Sequence, residues 1–536
     1  MNRKTIITAG LLSCAFAAAA QDSLSVRDFR LIADADVWLT QQNAAGLTRY
    51  ARRNLSQAEV YGSMSHGGFT SYSGSPHTLQ GGASAESFFR LSPRTVAYGR
   101  MQYDNFSGRE MYGSAFIQQD RMPFNIVEDS LTNPGRKHMD TYRLTGAVGV
   151  DVWRGFAVGI KADYTAANYA KYKDLRHKNK LMDLNLALGI YAPLGRHIAL
   201  GAHYFYHRNT ESIKFSTYGK SDKSYKSLID YGAFMGFTEL YGAEGFTDKS
   251  REQPLVSNYN GAGAQLQWNI TDALAWFNGL TAARRKGYYG RKSPYTPIHT
   301  RHDSHTYTWQ SRLQLTSRQS IHHIEATINA ENLTNRANHY RTEVNEQGAR
   351  YYEYFDPIRT ANKVWVSSRV AYTGWLGVEG DMARWQINAA ATFNHRRQTS
   401  YLYPYFRRQH IDSRELSAGA RRNIVMRKGV LTLGAAFSFL RGQGSAADDG
   451  AIAQPSDKQS FPATMEAWLL REHRWLTAPQ YRTECTLRYA FMPPRTKLAT
   501  WVEASVGTHK ANGIGTTEYY AGCDNTTLSV SIGCQF

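Results

Sequence analysis

Apolar and polar residues alternate along much of this chain with a period of two, and the pattern is clearest at its end. Apolar residues occupy every second position there, at Leu528, Val530, Ile532, Cys534 and Phe536. The positions between them are polar or glycine. Successive side chains of a β-strand point to opposite faces. The pattern therefore predicts a final strand with one apolar face that closes on an aromatic residue.

The same alternation recurs in pairs of segments that are joined by short turns. Leu144 to Val152 and Phe156 to Tyr164 form one such pair around Trp153-Arg154-Gly155. Eight turns of this kind occur, near residues 92–94, 153–155, 193–196, 271–272, 317–319, 374–382, 427–429 and 493–495. Their hairpins, with a first strand near Gln57–Met64 and a last strand near Thr526–Phe536, predict about 18 strands, an even number as in bacterial single-chain barrels.

Longer stretches without alternation separate the hairpins. They cover about residues 106–138, 169–180, 209–258, 286–304, 332–362, 396–410, 440–480 and 509–525. Short periplasmic turns at one end and long extracellular loops at the other are typical of outer-membrane barrels, whereas a soluble sandwich or propeller mixes the two. The predicted fold is therefore an all-β transmembrane antiparallel barrel of about 18 strands, within a range of roughly 14 to 18.

The N-terminus resembles a secretory signal peptide. Arg3 and Lys4 precede an apolar run that reaches Phe16, and alanines follow before Gln21. Lipidation at Cys14 is disfavoured because the apolar run continues past it. We expect a signal peptide over residues 1–20, a periplasmic or lumenal segment over 21–54 and the barrel over 55–536. No later apolar run reaches the roughly 18 residues of a spanning helix.

Composition changes this picture little. The mean hydropathy of −0.50 suits a barrel with a polar lumen, since only alternate residues face lipid. The net charge of +19 is scattered along the chain, which favours a lipid-facing or solvated surface without a specific ligand. In an outer membrane the neighbouring anion would be the phosphate of lipopolysaccharide, and secretion argues against nucleic acid. Cys485, Cys523 and Cys534 remain after the signal peptide, and an odd number is no disulfide framework.

Catalytic and metal-binding patterns give no candidate. Ser65 and His66 are adjacent, so in a strand they point to opposite faces, and no nucleophile elbow occurs. His203 and His207 share one strand face but lie about 13 Å apart, too far to bind one ion. We expect a protein that is not an enzyme and that carries neither a metal nor a cofactor.

Charged and histidine residues in the inward register are the candidates for lining the lumen. They are Arg143, Asp151, Lys161, Asp163, His203, His207, Arg384, Glu484, Arg488 and Glu503. A basic group facing lipid would cost roughly 2 to 4 kcal/mol at the midplane, so these residues are expected to face inward. A structural network of salt bridges and a pore lining that sets selectivity both fit them.

The stretch Trp38 to Leu47 resembles the Asn-Pro-Ala-Gly-Leu element of long-chain fatty-acid transporter barrels, with Ala44 in place of the proline. There the element belongs to a hatch inside the lumen, which implies that Asn43, Gly46 and Leu47 are hatch residues. The whole mature chain resembles a Bacteroidota family of outer-membrane β-barrels of unknown function. That resemblance implies the outer membrane of a Gram-negative bacterium. The terminal Phe536 resembles the signal read by the barrel assembly machinery.

Two functions fit these features. The first is a porin-like passive channel or transporter for small or hydrophobic solutes, with Asp22–Tyr50 as its hatch, since barrels of more than about 16 strands leave room for water unless plugged. The second is a non-transporting accessory barrel that docks surface lipoproteins, a receptor, or a neighbouring uptake or secretion complex. About 30 residues before the first strand are too few for the globular plug of a TonB-dependent receptor.

Overall fold

A computed structural model describes residues 26–119, 121–128, 133–219, 223–242, 245–293, 296–494, 496, 498–513 and 520–536. The predicted signal peptide, with Cys14, lies outside these residues. Within them, 18 strands form one sheet. Its strands are β1 (Leu55–His66), β2 (His77–Ser92), β3 (Thr95–Met111), β5 (Gly135–Trp153), β6 (Phe156–Lys171), β7 (Arg176–Leu194), β8 (Ile198–Ser216), β11 (Gln253–Asn269), β12 (Leu274–Ser293), β13 (Thr296–Thr316), β14 (Ser320–Ala337), β17 (Ile358–Glu379), β18 (Met382–Leu402), β19 (Tyr405–Met426), β20 (Gly429–Ala451), β22 (Gln480–Phe491), β23 (Ala499–Ala511) and β24 (Asp524–Gln535).

The sheet closes on itself through its first and last strands. β1 and β24 pair antiparallel from Gln57 opposite Gln535 to His66 opposite Thr526. Phe536 continues this pairing, because its backbone N–H donates to the Ser56 carbonyl and its own carbonyl accepts from the Ser56 N–H, each at 3.0 Å. The predicted 18-stranded closed barrel is confirmed, and the closed sheet has no free edge.

All eight predicted turns join neighbouring barrel strands at one end, which we call the turn end. The opposite, loop end differs from the prediction, because three connections that were expected to be long are short. β6 and β7 are separated only by 172–175, β18 and β19 only by 403–404, and β13 begins at Thr296 where β12 ends at Ser293. These strands continue beyond the apolar band toward the loop end, where the outer face is polar and the inner face packs against the cap, so the two-residue alternation disappears from the sequence.

The outer face of the barrel carries an apolar band. Leu186, Leu188 and Ile190 on β7 are exposed, as are Val530 and Ile532 on β24, while the residues between them face the lumen. Such a band matches the hydrocarbon layer of a membrane. Among the described residues, no helix has the length and apolar character needed to cross a membrane.

The loops at the loop end fold into the mouth of the barrel. A second sheet consists of β4 (Asn125–Glu128), β9 (Lys226–Gly232), β10 (Met235–Leu240) and β21 (Ala463–Thr464), in the order β21-β10-β9-β4. The helix α2 (Glu466–Thr477) follows β21 in the chain. We call these four strands and α2 the cap. A separate hairpin consists of β15 (Tyr340–Val344) and β16 (Arg350–Tyr354).

Aromatic packing anchors the cap on one side of the barrel, and hydrogen bonds hold it on the other. Phe124 beside β4 packs on inward-facing Tyr289 of β12 with ring centroids 5.0 Å apart. Across the mouth, the Ser400 hydroxyl donates to the Gly232 carbonyl at 3.0 Å, and the Lys363 ammonium donates to the Met122 carbonyl at 2.9 Å. The cap therefore spans the upper lumen.

The closing pair predicts the effect of deleting Phe536. Loss of this residue removes both hydrogen bonds to Ser56 and the terminal aromatic ring, so we expect several-fold less assembled barrel in the membrane fraction. The measurement is the amount of heat-modifiable, folded protein on a gel. The Phe536→Tyr variant keeps the backbone and an aromatic ring and should assemble normally, and equal amounts of the deletion and wild-type proteins would contradict the prediction.

Candidate functional site

Residues 26–54, which we call the lumenal segment, lie inside the barrel at the turn end. The segment contains α1 (Phe29–Asp34) and two 3-10 helices, Val37–Thr40 and Ala44–Arg49. Each helix begins after an Asp or Asn whose side chain accepts a backbone N–H of the first turn. Such caps satisfy donors that have no partner within the helix, which stabilises helices too short to form alone.

Trp38 anchors the lumenal segment to the barrel wall. Its side chain is fully buried and makes edge-to-face contacts with Tyr191 on β7 and Phe277 on β12, with centroids 4.9 Å and 5.3 Å apart. Its indole Nε1 donates to the side-chain oxygen of Gln267. Burial of a large ring with its polar atom satisfied makes this contact strongly stabilising.

The structure places the three sequence-predicted hatch residues within the lumenal segment. Asn43 is buried, and its Nδ2 donates to the Ile190 carbonyl at 2.8 Å and to Gln265 Oε1 at 2.9 Å. Gly46 lies so close to Trp38 that an added Cβ would be 2.8 Å from the Trp38 Cβ. Leu47 is buried in an apolar cluster between the segment and the wall.

Glycines of the barrel wall make room for the segment. Gly149, Gly159 and Gly189 lie directly opposite one another across β5, β6 and β7, on the inward face. An added Cβ would lie 2.2 Å from the Ala45 N atom at Gly159 and 2.0 Å from Asn43 Oδ1 at Gly189. We call these three residues the glycine row. The sequence analysis did not predict the glycine row, although a glycine at an inward position in each of three consecutive strands could have indicated it.

Both ends of the segment are held at the turn between β17 and β18. The Asp28 N–H donates to the Asp381 carbonyl at 2.8 Å. The Asp381 carboxylate forms ion pairs with Arg27 near the start of the segment and with Arg52 near its end, each at 2.7 Å. The segment thus runs from this turn to the glycine row, where its middle packs, and returns to the turn.

Cavities remain in the lumen beside the lumenal segment. A cavity of about 170 Å³ at the turn end and one of about 460 Å³ farther from it lie along β18–β23, and a third of about 440 Å³ lies between β17–β19 and the cap. Small and polar side chains predominate in the first two, and we call this row of three cavities the polar lane. Its small residues include Gly434, Ser417, Ser438, Ser505, Gly507 and Ser529.

Three of the predicted lumen residues line the polar lane. Arg488 and Glu503 border its lowest cavity, where the arginine stacks on Trp501 at 4.3 Å and lies 3.8 Å from the glutamate. Glu484 borders the middle cavity, and inward-facing Glu415 lines the same cavity. These side chains form a charged lining with both signs.

Four predicted lumen residues of β5 and β6 lie outside the polar lane. Arg143 forms an ion pair with Asp104. Lys161 lies 3.8 Å from Asp163, which also accepts from the Thr145 hydroxyl at 2.8 Å. Asp151 accepts the N–H of Gly155 at 3.1 Å and thereby closes the β5–β6 turn.

The remaining three predicted residues have different environments. His203 is buried on the inward face beside Phe205. His207 hydrogen-bonds to Asp183 at 2.9 Å and stacks on a neighbouring tyrosine. Arg384 is exposed near the turn end, where it forms an ion pair with Glu379 at 2.6 Å. Most of the predicted set is therefore paired within the wall.

Among the described residues, one group has donor atoms close enough to hold a metal ion. His395, His410 and Asp412 lie on the outward face of β18 and β19. The Asp412 carboxylate is 2.8 Å from His395 Nδ1 and 3.2 Å from His410 Nε2. Hydrogen bonds from the two histidines account for this arrangement without an ion, because each ring contacts a different carboxylate oxygen.

The cap contains a buried carboxylate at its contact with the barrel wall. Asp230 on β9 accepts the Gly232 N–H at 2.7 Å. Burial raises the pKa of the Asp230 carboxyl to about 6, while the positive charges of Lys363 and Arg396 partly oppose this rise and the charge of Glu472 adds to it. The cap therefore contains an acid that titrates near neutral pH.

Fold and site together define a closed β-barrel with a folded segment inside its lumen. Residues 44–536 match the sequence model of a protein family of unknown function (DUF6850), so the chain belongs to that family. No curated protein matches the sequence.

The barrel is similar to solved outer-membrane receptors and transporters. The outer membrane transporter YddB from Escherichia coli is 7% identical, with a TM-score of 0.41, over 90% of this chain and 81% of that one. The alcaligin receptor FauA from Bordetella pertussis is 9% identical, with a TM-score of 0.40, over 89% of this chain and 76% of that one. Similarity at this level says nothing about what this chain binds.

The glycine row predicts that a single methyl group will loosen the lumenal segment. In Gly159→Ala the new Cβ must displace the backbone at Ala45, and overpacking of this kind costs typically about 1 to 3 kcal/mol. We expect faster tryptic cleavage at Arg49. Gly146→Ala is the matched control, because Gly146 lies on β5 with no atom within 4 Å of an added Cβ. Equal cleavage rates in both variants would contradict the prediction.

The raised pKa of Asp230 predicts a pH-dependent cap. Between the ordinary value of 3.8 and about 6, the folded cap holds a proton that an opened cap releases, so its stability rises as the pH falls from 7 to 5. Hydrogen exchange at β9, corrected for the intrinsic rate, should slow by about tenfold over this range. Asp230→Asn should remove the dependence, and an unchanged pH profile in that variant would contradict the assignment.

Proposed function

We propose that the protein is a passive outer-membrane channel for small polar solutes, in which the lumenal segment is a hatch. The observation that carries this proposal is the division of the lumen at the turn end. The segment packs on the glycine row, and the polar lane remains beside it with a narrow lowest cavity of about 170 Å³. A segment packed on one side of a lumen beside a row of polar cavities is the arrangement expected of a gated channel.

The lining favours polar over hydrophobic cargo. Hydroxyl, glycine and charged side chains line the lower and middle cavities, and a solute passing through them finds hydrogen-bond partners for its polar groups. The resemblance of Trp38–Leu47 to long-chain fatty-acid transporters supports a hatch, but this lining argues against a fatty acid. Because acidic Glu484 and Glu503 lie near basic Arg488, strong selectivity for one sign of charge is not expected.

Three features support a location in the outer membrane of a Gram-negative bacterium. The predicted signal peptide directs the chain out of the cytoplasm, and the apolar band on the barrel suits a bilayer. The terminal Phe536, paired with Ser56 at the closing seam, suits recognition by the barrel assembly machinery. The turn end then faces the periplasm, and the cap faces outward. Transport of this kind requires no catalytic residue.

Two sets of contacts hold the hatch. Its two ends at the β17–β18 turn depend on ion pairs from Arg27 and Arg52 to Asp381, and its middle depends on the close fit of Asn43 and Trp38. Arg52 is half exposed, so its ion pair is weak, whereas Arg27 is buried like the Trp38 ring and the Asn43 amide. Opening of the hatch therefore requires both sets of contacts to break.

A second candidate function is the docking of a surface partner. The β15–β16 hairpin and the residues around it expose Val344, Tyr351 and Phe355, each about half exposed or more. Exposed apolar side chains along a hairpin are typical of contact surfaces between proteins. An accessory barrel that binds a surface lipoprotein or a receptor would use such a surface.

The channel proposal predicts a gain of conductance when the hatch is removed. In planar bilayers, a variant lacking Val26–Tyr50 should show current steps several-fold larger than the wild-type protein. A variant lacking Tyr340–Tyr354 is the matched control, because this hairpin is outside the lumen and its loss should leave the conductance unchanged.

Two outcomes separate the candidates. Absence of current in every form of the protein would contradict the channel. A partner that copurifies with the wild-type protein but not with the variant lacking Tyr340–Tyr354 would support the accessory barrel, and purification of the barrel alone would count against it.

A further inference from the structure

The outer wall of β19 and β20 carries two arginines that face each other. Arg414 lies directly opposite Arg441 in the antiparallel pairing, and both side chains are exposed on the outward face. Within the part of the chain that the structure describes, neither forms an ion pair. Like charges directly opposite one another in a sheet are destabilising. The pair therefore costs stability unless an anion lies between the two guanidinium groups.

The pair lies at the upper edge of the apolar band. The next outward pair toward the turn end is Leu416 opposite Phe439, and Phe393 of β18 is the direct neighbour of Arg414. Leu416 and Phe393 are about half exposed. A cationic pair immediately above an apolar surface has the geometry of a lipid site, with a charged headgroup above and acyl chains below.

The surrounding side chains leave the pair unneutralised. Asp412 lies two residues from Arg414 on the same face, but its carboxylate is held by His395 and His410. Arg397 of β18 lies opposite His410, is exposed and adds a third guanidinium to this patch. The patch thus has an excess of positive charge at the depth where lipid phosphates lie.

A similar arrangement occurs elsewhere on the wall. Lys178 of β7 lies directly opposite Lys214 of β8, and both are exposed on the outward face toward the loop end. In the described residues these lysines also form no ion pair. Opposed cations therefore occur on two separate parts of the wall, which fits an anion that surrounds the barrel better than a single soluble ligand.

We propose that Arg414 and Arg441 bind a phosphate group of lipopolysaccharide in the outer leaflet. A phosphate between the two guanidinium groups accepts hydrogen bonds from both and removes their repulsion. The acyl chains lie against Phe393, Leu416 and Phe439. This inference rests on the proposed outer-membrane location, but it is independent of whether the lumen conducts.

Binding of purified lipopolysaccharide to the full-length barrel in mild detergent tests the site. The variant Arg414→Gln/Arg441→Gln should bind it about tenfold more weakly, because it loses the charge-assisted contacts to phosphate. Arg414→Lys/Arg441→Lys keeps the charge and should recover part of this affinity. The folded state of each variant is checked by heat modifiability, so that a loss of binding is not confused with misfolding.

The matched control is Arg422→Gln/Lys428→Gln. Both residues are exposed on the same hairpin but lie at the turn end, where Arg422 stacks on Trp385 at 5.1 Å. This variant has the same change of charge and should bind lipopolysaccharide as the wild-type protein does. Equal binding by the Arg414/Arg441 variant and the wild-type protein, or an equal loss in the control, would overturn the proposal.

A last comparison separates a lipid phosphate from free phosphate. Dephosphorylated lipopolysaccharide should bind the wild-type barrel only as well as intact lipopolysaccharide binds the Arg414→Gln/Arg441→Gln variant. Inorganic phosphate at millimolar concentration should not compete with the intact lipid. Full competition by inorganic phosphate would overturn the lipid assignment. The conductance of the channel should be the same in all of these variants, because the substituted residues lie on the outer face of the barrel.

Discussion

The structure depends on the closure of a single sheet. A strand in hydrocarbon has no water to satisfy its backbone, so each N–H and carbonyl must find a partner on a neighbouring strand. The pairing of β1 with β24, extended by the hydrogen bonds between Ser56 and Phe536, supplies the partners that a first and a last strand would otherwise lack. Every other feature follows from this constraint, because closure of 18 strands creates a lumen that side chains from the wall alone do not fill.

The chain fills that lumen unevenly. On the side of β5–β8, glycines replace the inward side chains, and the lumenal segment packs against bare backbone. On the side of β18–β23, small hydroxyl residues and ion pairs leave cavities instead. Close packing favours a rigid contact, and a polar, loosely filled surface favours water. The same barrel thus has one side that is closely packed against the segment and one side that contains polar cavities.

Much of the barrel could be predicted from the sequence, because lipid on one face and a polar lumen on the other force the period of two. The eight turns and the closing strand followed directly from it. The prediction was wrong where strands such as β18 and β19 extend beyond the membrane, since their outer face is polar there and polar residues of their inner face pack against the cap, so the alternation is lost. The glycine row and the polar lane were missed because they depend on which inward positions are adjacent across strands, and strand register is not visible in a single strand.

The distribution of charge connects the lumen with the outer surface. Inside, several basic residues have acidic partners, as Arg143 has Asp104 and Arg488 has Glu503. On the outer wall toward the loop end, Arg414 and Arg441 face each other instead. The net charge of +19 over the whole chain therefore does not imply a cationic lumen. Opposed cations on the outer wall repel each other, so this part of the exterior is more stable where its surroundings supply negative charge.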